Sequence, residues 1–87
     1  MSKFTATVKD PVGLHARPAS VVVAAASKFA SNITIAAKGK SGNLKSIMNV
    51  MALGVKQNEE ITIEATGADA EAAIAAIKTA METNNLI

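Results

Sequence analysis

Cysteine is absent from this chain of 87 residues, and so are tryptophan and tyrosine. Without thiols there is no disulfide framework and no thiolate nucleophile. A metal cage would have to be assembled from a single histidine and scattered carboxylates, so no metal site is expected, and nothing in the sequence calls for a cofactor. Two phenylalanines are the only aromatic residues, too few to read bases by stacking, so no nucleic-acid partner is expected. The core must then be built from Ile, Val, Leu, Met and Ala. No run approaches the roughly 20 apolar residues that span a bilayer, and Met-Ser-Lys-Phe-Thr at the start carries no apolar signal segment. These absences lead us to expect a protein of the cytoplasm, with no membrane insertion.

Charge is present but unevenly placed. Residues 1–56 hold eight of the nine Lys and Arg against one acid, Asp10, whereas residues 57–87 hold Lys78 against six acids, within a net charge of +2. Such asymmetry points to a basic face and an acidic face, the former suited to phosphate groups or acidic proteins.

Two hydrophobic periods organise the chain. Apolar residues alternate with polar ones over Phe4–Val8, around Ile33-Thr34-Ile35 and over Ile61–Ala65, the signature of strands with one buried face. Ala19, Val22, Val23, Ala26 and Ala30 follow a helical spacing and predict a helix over about 16–28. Ala73, Ile74, Ile77 and Met81 predict another after Asp69, a natural N-cap. Lys38-Gly39-Lys40 predicts a hairpin into a short strand over 41–44. Ser46 then caps a brief helix over 47–53, closed by Gly54. The order β-α-β-β-α-β-α implies a single α+β domain spanning 1–87. It is expected to be a two-layer open-faced sandwich, with three helices on one face of a four-stranded antiparallel sheet. The expected core is Phe4, Ala6, Val8, Val22, Val23, Ala26, Phe29, Ile33, Ile35, Ile61, Ile63, Ile74, Ile77 and Met81.

The one histidine lies in Gly13-Leu14-His15-Ala16-Arg17-Pro18-Ala19-Ser20, between the first strand and the first helix. Pro18 falls in the first helical turn, where its missing N–H removes no helical bond. The proline also biases Arg17 away from helical geometry, so either His15 or Arg17 could be the cap. Unpaired amides and the partial positive charge of a helix start attract a phosphoryl group and favour a neutral, nucleophilic imidazole. The Arg17 guanidinium and the amides of Ala16 and Arg17 could offset the charge of a phosphohistidine. No acid, base or metal constellation accompanies them, which suggests a carrier rather than an enzyme. A lone loop histidine is also what an ordinary surface residue or helix cap looks like, and a small phosphate-ester hydrolase using Asp10 to position water stays open.

Together with Lys45-Ser46-Ile47-Met48-Asn49-Val50-Met51-Ala52-Leu53-Gly54, the His15 stretch resembles the HPr family, the histidine-containing phosphocarrier proteins of the bacterial sugar phosphotransferase system. The resemblance covers the whole chain in length, element order and motif spacing. It implies that His15 accepts a phosphoryl group from enzyme I and donates it to sugar-specific IIA domains, with Arg17 as its phosphate partner. It also implies that Ser46 is phosphorylated by an HPr kinase/phosphorylase, since Ser46-Ile47-Met48 matches the Gram-positive-like branch. Val12 departs from the polar residue common at that position, so only backbone is expected to act there.

The brief helix adds a physical argument. Ile47, Met48, Val50, Met51 and Leu53 point nearly all round it, more than one buried face needs. Exposed Ile47, Met48 and Met51 would suit docking to several differently shaped partners, because methionine adapts its shape cheaply; the alternative is that they complete the core. A monomer is expected.

Overall fold

The computed structural model describes residues 1–87. Its elements are β1 (Ser2–Thr7), α1 (Ala16–Ala26), β2 (Asn32–Ala37), β3 (Lys40–Asn43), α2 (Ile47–Ala52), β4 (Glu60–Thr66) and α3 (Ala70–Thr83). The four strands form one antiparallel sheet in the order β1-β4-β2-β3. This is the expected α+β sandwich, with helices against one face and the other open.

The register explains the alternation. Phe4 pairs with Ile63 and Ile63 with Ile35, so a row of apolar side chains crosses three strands toward the helices. Outward, Lys3 faces Glu64 and Thr5 faces Thr62, whose hydroxyl oxygens lie 3.1 Å apart. Glu64 of β4 thus sits beside a lysine of β1, and Lys38 pairs with Glu59 at 3.2 Å. The charge asymmetry along the chain is therefore partly interleaved in space at these two pairs.

Strand and helix limits differ modestly from expectation. β1 is Ser2–Thr7, with Val8 fully buried just beyond it, and α1 ends at Ala26, not near 28. The hairpin turns on Lys38 and Gly39, at φ 55° and 76°. Two successive positive φ angles make the primed turn that matches strand twist. Ile33, Ile35, Ile61, Ile63, Ile77, Met81, Val8 and Val22 form the expected core, but Phe4, Val23, Phe29 and Ile74 are only half-buried against it. Leu14, Leu44, Val50, Leu53, Val55 and Leu86 complete it from loops and helix ends.

Asp69 has a different task from the one expected. It holds the N-cap position of α3 but its side chain makes no cap bond. Its carboxylate instead accepts from the amides of Ala30 (2.8 Å) and Ser31 (2.9 Å) and from the Ser31 hydroxyl. These bonds, the Ser31 hydroxyl foremost, hold its pKa below the usual 3.8. The start of α3 is thereby tied to the loop entering β2.

No helix is long and apolar enough to cross a membrane.

Candidate functional site

His15 is the N-cap residue of α1, in extended backbone geometry (φ −86°, ψ −168°), and Arg17 lies within the helix. Its carbonyl receives the first helical bond, from the Ala19 amide at 2.9 Å. Its ring makes no cap bond, so the imidazole is not consumed in holding the helix. Pro18 occupies the third helical position and is buried, leaving the amides of Ala16 and Arg17 as unpaired donors at the helix start.

The approach to His15 is set by a tight turn. Gly13 has φ 85°, and a Cβ there would fall 2.2 Å from the Val55 carbonyl oxygen, so only glycine fits. The Gly13 amide donates to the Asp10 carbonyl and the Val12 amide to Asp10 Oδ1, both at 2.9 Å. The Val12 amide is thus already engaged, and its side chain stands two-thirds exposed.

His15, Arg17 and Pro18 line a cleft of about 350 Å³ with Asp10, Val21 and the end of α3, Thr83 to Leu86. Asp10 Oδ1 lies 3.7 Å from His15 Nε2. The Arg17 guanidinium has neither a hydrogen-bond nor an ion-pair partner in the protein, so its planar fork is available to an anion. No three His, Asp or Glu side chains gather as metal ligands.

The far wall was not anticipated from sequence. After Thr83 the chain closes α3 in a Schellman turn. The Leu86 amide donates to Met81 (2.8 Å) and that of Asn85 to Glu82 (3.1 Å), with Asn85 left-handed at φ 59°. The Leu86 carbonyl then accepts from the Lys9 amide at 2.7 Å, strapping the tail to the loop that carries Asp10. The signal was present as asparagine followed by an apolar residue just past the last periodic position.

Ser46 is the N-cap of α2. Its hydroxyl oxygen accepts from the Asn49 amide (3.2 Å) and the Asn49 side chain (3.1 Å). Behind it Lys45 Nζ donates to the Phe29 carbonyl at 2.6 Å, and Lys38 Nζ to that of Gly54 at 3.0 Å. Lys38 and Lys45 are therefore structural contacts rather than free surface charges. Along α2, Val50 and Leu53 enter the core, whereas Ile47, Met48 and Met51 are 39, 81 and 44 % exposed. The short helix is apolar on both sides because one side is core and the other is surface.

Comparison with known proteins gives this geometry its setting. Residues 2–83 match the family model described as the phosphorylation site of the HPr component of the phosphotransferase system. The phosphocarrier protein HPr of Mycoplasma capricolum is 62 % identical over 87 residues, which covers all of this chain and 98 % of the relative. A solved mycoplasma histidine-containing phosphocarrier protein, also 62 % identical, superposes with a TM-score of 0.97 over 99 % of this chain and 98 % of its own. An HPr dimer from Thermoanaerobacter tengcongensis is 43 % identical, with a TM-score of 0.77 over 97 % of each chain. On the family match over nearly the whole chain and the full-length identity to named relatives, the chain belongs to the HPr family of phosphocarrier proteins of the phosphotransferase system.

Proposed function

We propose that His15 is the residue that carries the phosphoryl group, accepting it from enzyme I and passing it to sugar-specific IIA domains, with the whole chain acting as one cytoplasmic, monomeric carrier domain. The observation that carries this reading is the placement of the half-exposed imidazole at the start of α1, where the Ala16 and Arg17 amides have no other partner. A helix start stabilises the negative charge of a bound phosphoryl group. The Arg17 guanidinium adds two further donors in a fixed plane.

Ser46 is proposed as a regulatory site for an HPr kinase/phosphorylase, and Ile47, Met48 and Met51 as the surface that meets the partners. Their support is exposure beside a helix cap whose position accommodates added negative charge.

Incubation with enzyme I and phosphoenolpyruvate, followed by intact mass, tests the central role. Wild type is expected to gain one acid-labile phosphoryl group and His15→Ala none. Arg17→Ala should keep its fold and slow transfer by ~10- to 100-fold, the scale of a charged hydrogen bond, with Arg17→Lys restoring part. A mass gain that survives His15→Ala refutes the assignment; turnover of a phosphate compound without a modified protein would favour a hydrolase.

A further inference from the structure

We infer that Asp10 is a positioning residue for His15: its carboxylate holds the Nε2 edge of the imidazole, directs the incoming phosphoryl group to Nδ1 and offsets the positive charge the ring acquires. The inference rests on His15 being the acceptor.

The carboxylate is mounted rigidly. Asp10 Oδ1, which lies 3.7 Å from His15 Nε2, also accepts from the Val12 amide at 2.9 Å. The Asp10 carbonyl accepts from Gly13, and the Gly13 carbonyl accepts from the His15 amide at 3.0 Å. Carboxylate and imidazole therefore stand on one continuous turn, whose glycine leaves no room for another residue. At 3.7 Å the pair is within ion-pair range but not hydrogen-bonded. The ring is unrestrained by any cap bond, so a rotation that moves Nε2 by less than ~1 Å closes the gap.

The chemistry follows from which ring nitrogen keeps its proton. An anion at Nε2 favours the Nε2–H tautomer and repels a phosphoryl group from that edge, leaving the lone pair on Nδ1. That lone pair attacks phosphorus, the bond from phosphorus to the donor breaks, and its electron pair leaves with the donor. Nε2 keeps its proton throughout, so the product ring is a cation facing Asp10. On onward transfer the N–P bond breaks, its pair returns to Nδ1, and no proton has moved. The partial positive charge of the α1 start opposes that cation while favouring the phosphoryl group. Asp10 supplies the compensating anion on the ring side, as Arg17 supplies the cation on the phosphoryl side.

Asp10→Asn keeps an oxygen for the Val12 amide and removes only the charge; Asp10→Ala removes both. With phosphorylated enzyme I as donor, both variants are expected to lose about tenfold in maximal transfer rate, with KM changed less than twofold and Asp10→Asn melting as wild type does. With phosphoramidate as a partner-free donor, ¹⁵N-labelled His15 should show phosphorus coupling at Nδ1 and a slowly exchanging Nε2 proton in wild type. In Asp10→Asn that proton should exchange rapidly. A normal rate and a protected Nε2 proton in Asp10→Asn would overturn the inference alone, reducing Asp10 to a turn residue. A wild-type protein modified by neither donor would overturn the reading of His15, and this inference with it.

Discussion

Ser46 serves two roles in this reading, and a pair of substitutions separates them. Its hydroxyl oxygen caps the start of α2, taking bonds from the Asn49 amide and side chain. Asn49 in turn accepts from the Asn43 amide at 3.1 Å, linking the cap to the end of β3. Removal of such a cap costs about 1 kcal/mol, in a range of roughly 0.5–2, so Ser46→Ala should melt about 4–8 °C lower. Aspartate caps as well as serine does, so Ser46→Asp should melt within a degree or two of wild type. Its added charge stands next to Ile47, Met48 and Met51. Against one acidic group of a docked partner ~7 Å away in a water-like dielectric, a unit charge costs about 0.6 kcal/mol, roughly a threefold rise in KM. Phosphoserine, with nearly twice the charge, should raise it further. Thermal melting and the concentration dependence of phosphorylation by enzyme I read the two effects independently. The expected result is crossed: Ser46→Ala is less stable with unaltered KM, and Ser46→Asp is equally stable with raised KM. An unaltered KM in Ser46→Asp would reduce Ser46 to a helix cap, and an unaltered melting temperature in Ser46→Ala would refute the cap.

Why His15 and Ser46 could be found in the sequence, whereas the Asp69 contact could not, comes down to range. The Gly13 turn, the His15 cap and Pro18 in the first helical turn are encoded within six residues, and Ser46, Asn49 and Gly54 around α2 within nine. Local backbone geometry decides such positions, and local sequence announces it. Leu14, Leu44, Val55 and Leu86 lie outside any periodic segment, so no spacing rule could assign them to the core, although each is nearly inaccessible. Phe4 and Phe29 had the opposite problem: their size suggested the centre, but their places on an edge strand and in the loop after α1 leave them at the rim. Asp69 looked like an ordinary cap, and its actual partners stand 38 and 39 residues away in sequence. The wall of the His15 cleft formed by residues 83–86 depends likewise on α1 and α3 packing side by side, which no local pattern records.

Two further tests bear on surface and stability. On α2, Met48→Ala should leave stability within about 0.5 kcal/mol of wild type yet raise the KM for enzyme I, whereas buried Val50→Ala should cost roughly 1.5–3 kcal/mol in a urea melt and leave the KM of the folded protein unchanged. Equal KM values for Met48→Ala and wild type would remove Met48 from the docking surface. The second test is acid titration of stability. Asp69 has its pKa lowered in the folded protein by the Ser31 hydroxyl and the Ala30 and Ser31 amides, and Glu59 has its own lowered, chiefly by the Lys56 amide. A carboxylate that is more acidic when folded stabilises the fold above its unfolded pKa, and that contribution drains away as pH falls through the folded value. Stability from Asp69 should therefore be complete near neutrality and decline below its usual value of about 3.8. Asp69→Asn keeps one acceptor oxygen but no charge, so it should be less stable than wild type at pH 7, and the two curves should converge as pH falls below that value. The slope left in Asp69→Asn belongs to Glu59 and the remaining acids. Parallel curves for Asp69→Asn and wild type across pH 2–6 would show that the loop before β2 is held by something other than the ionised carboxylate.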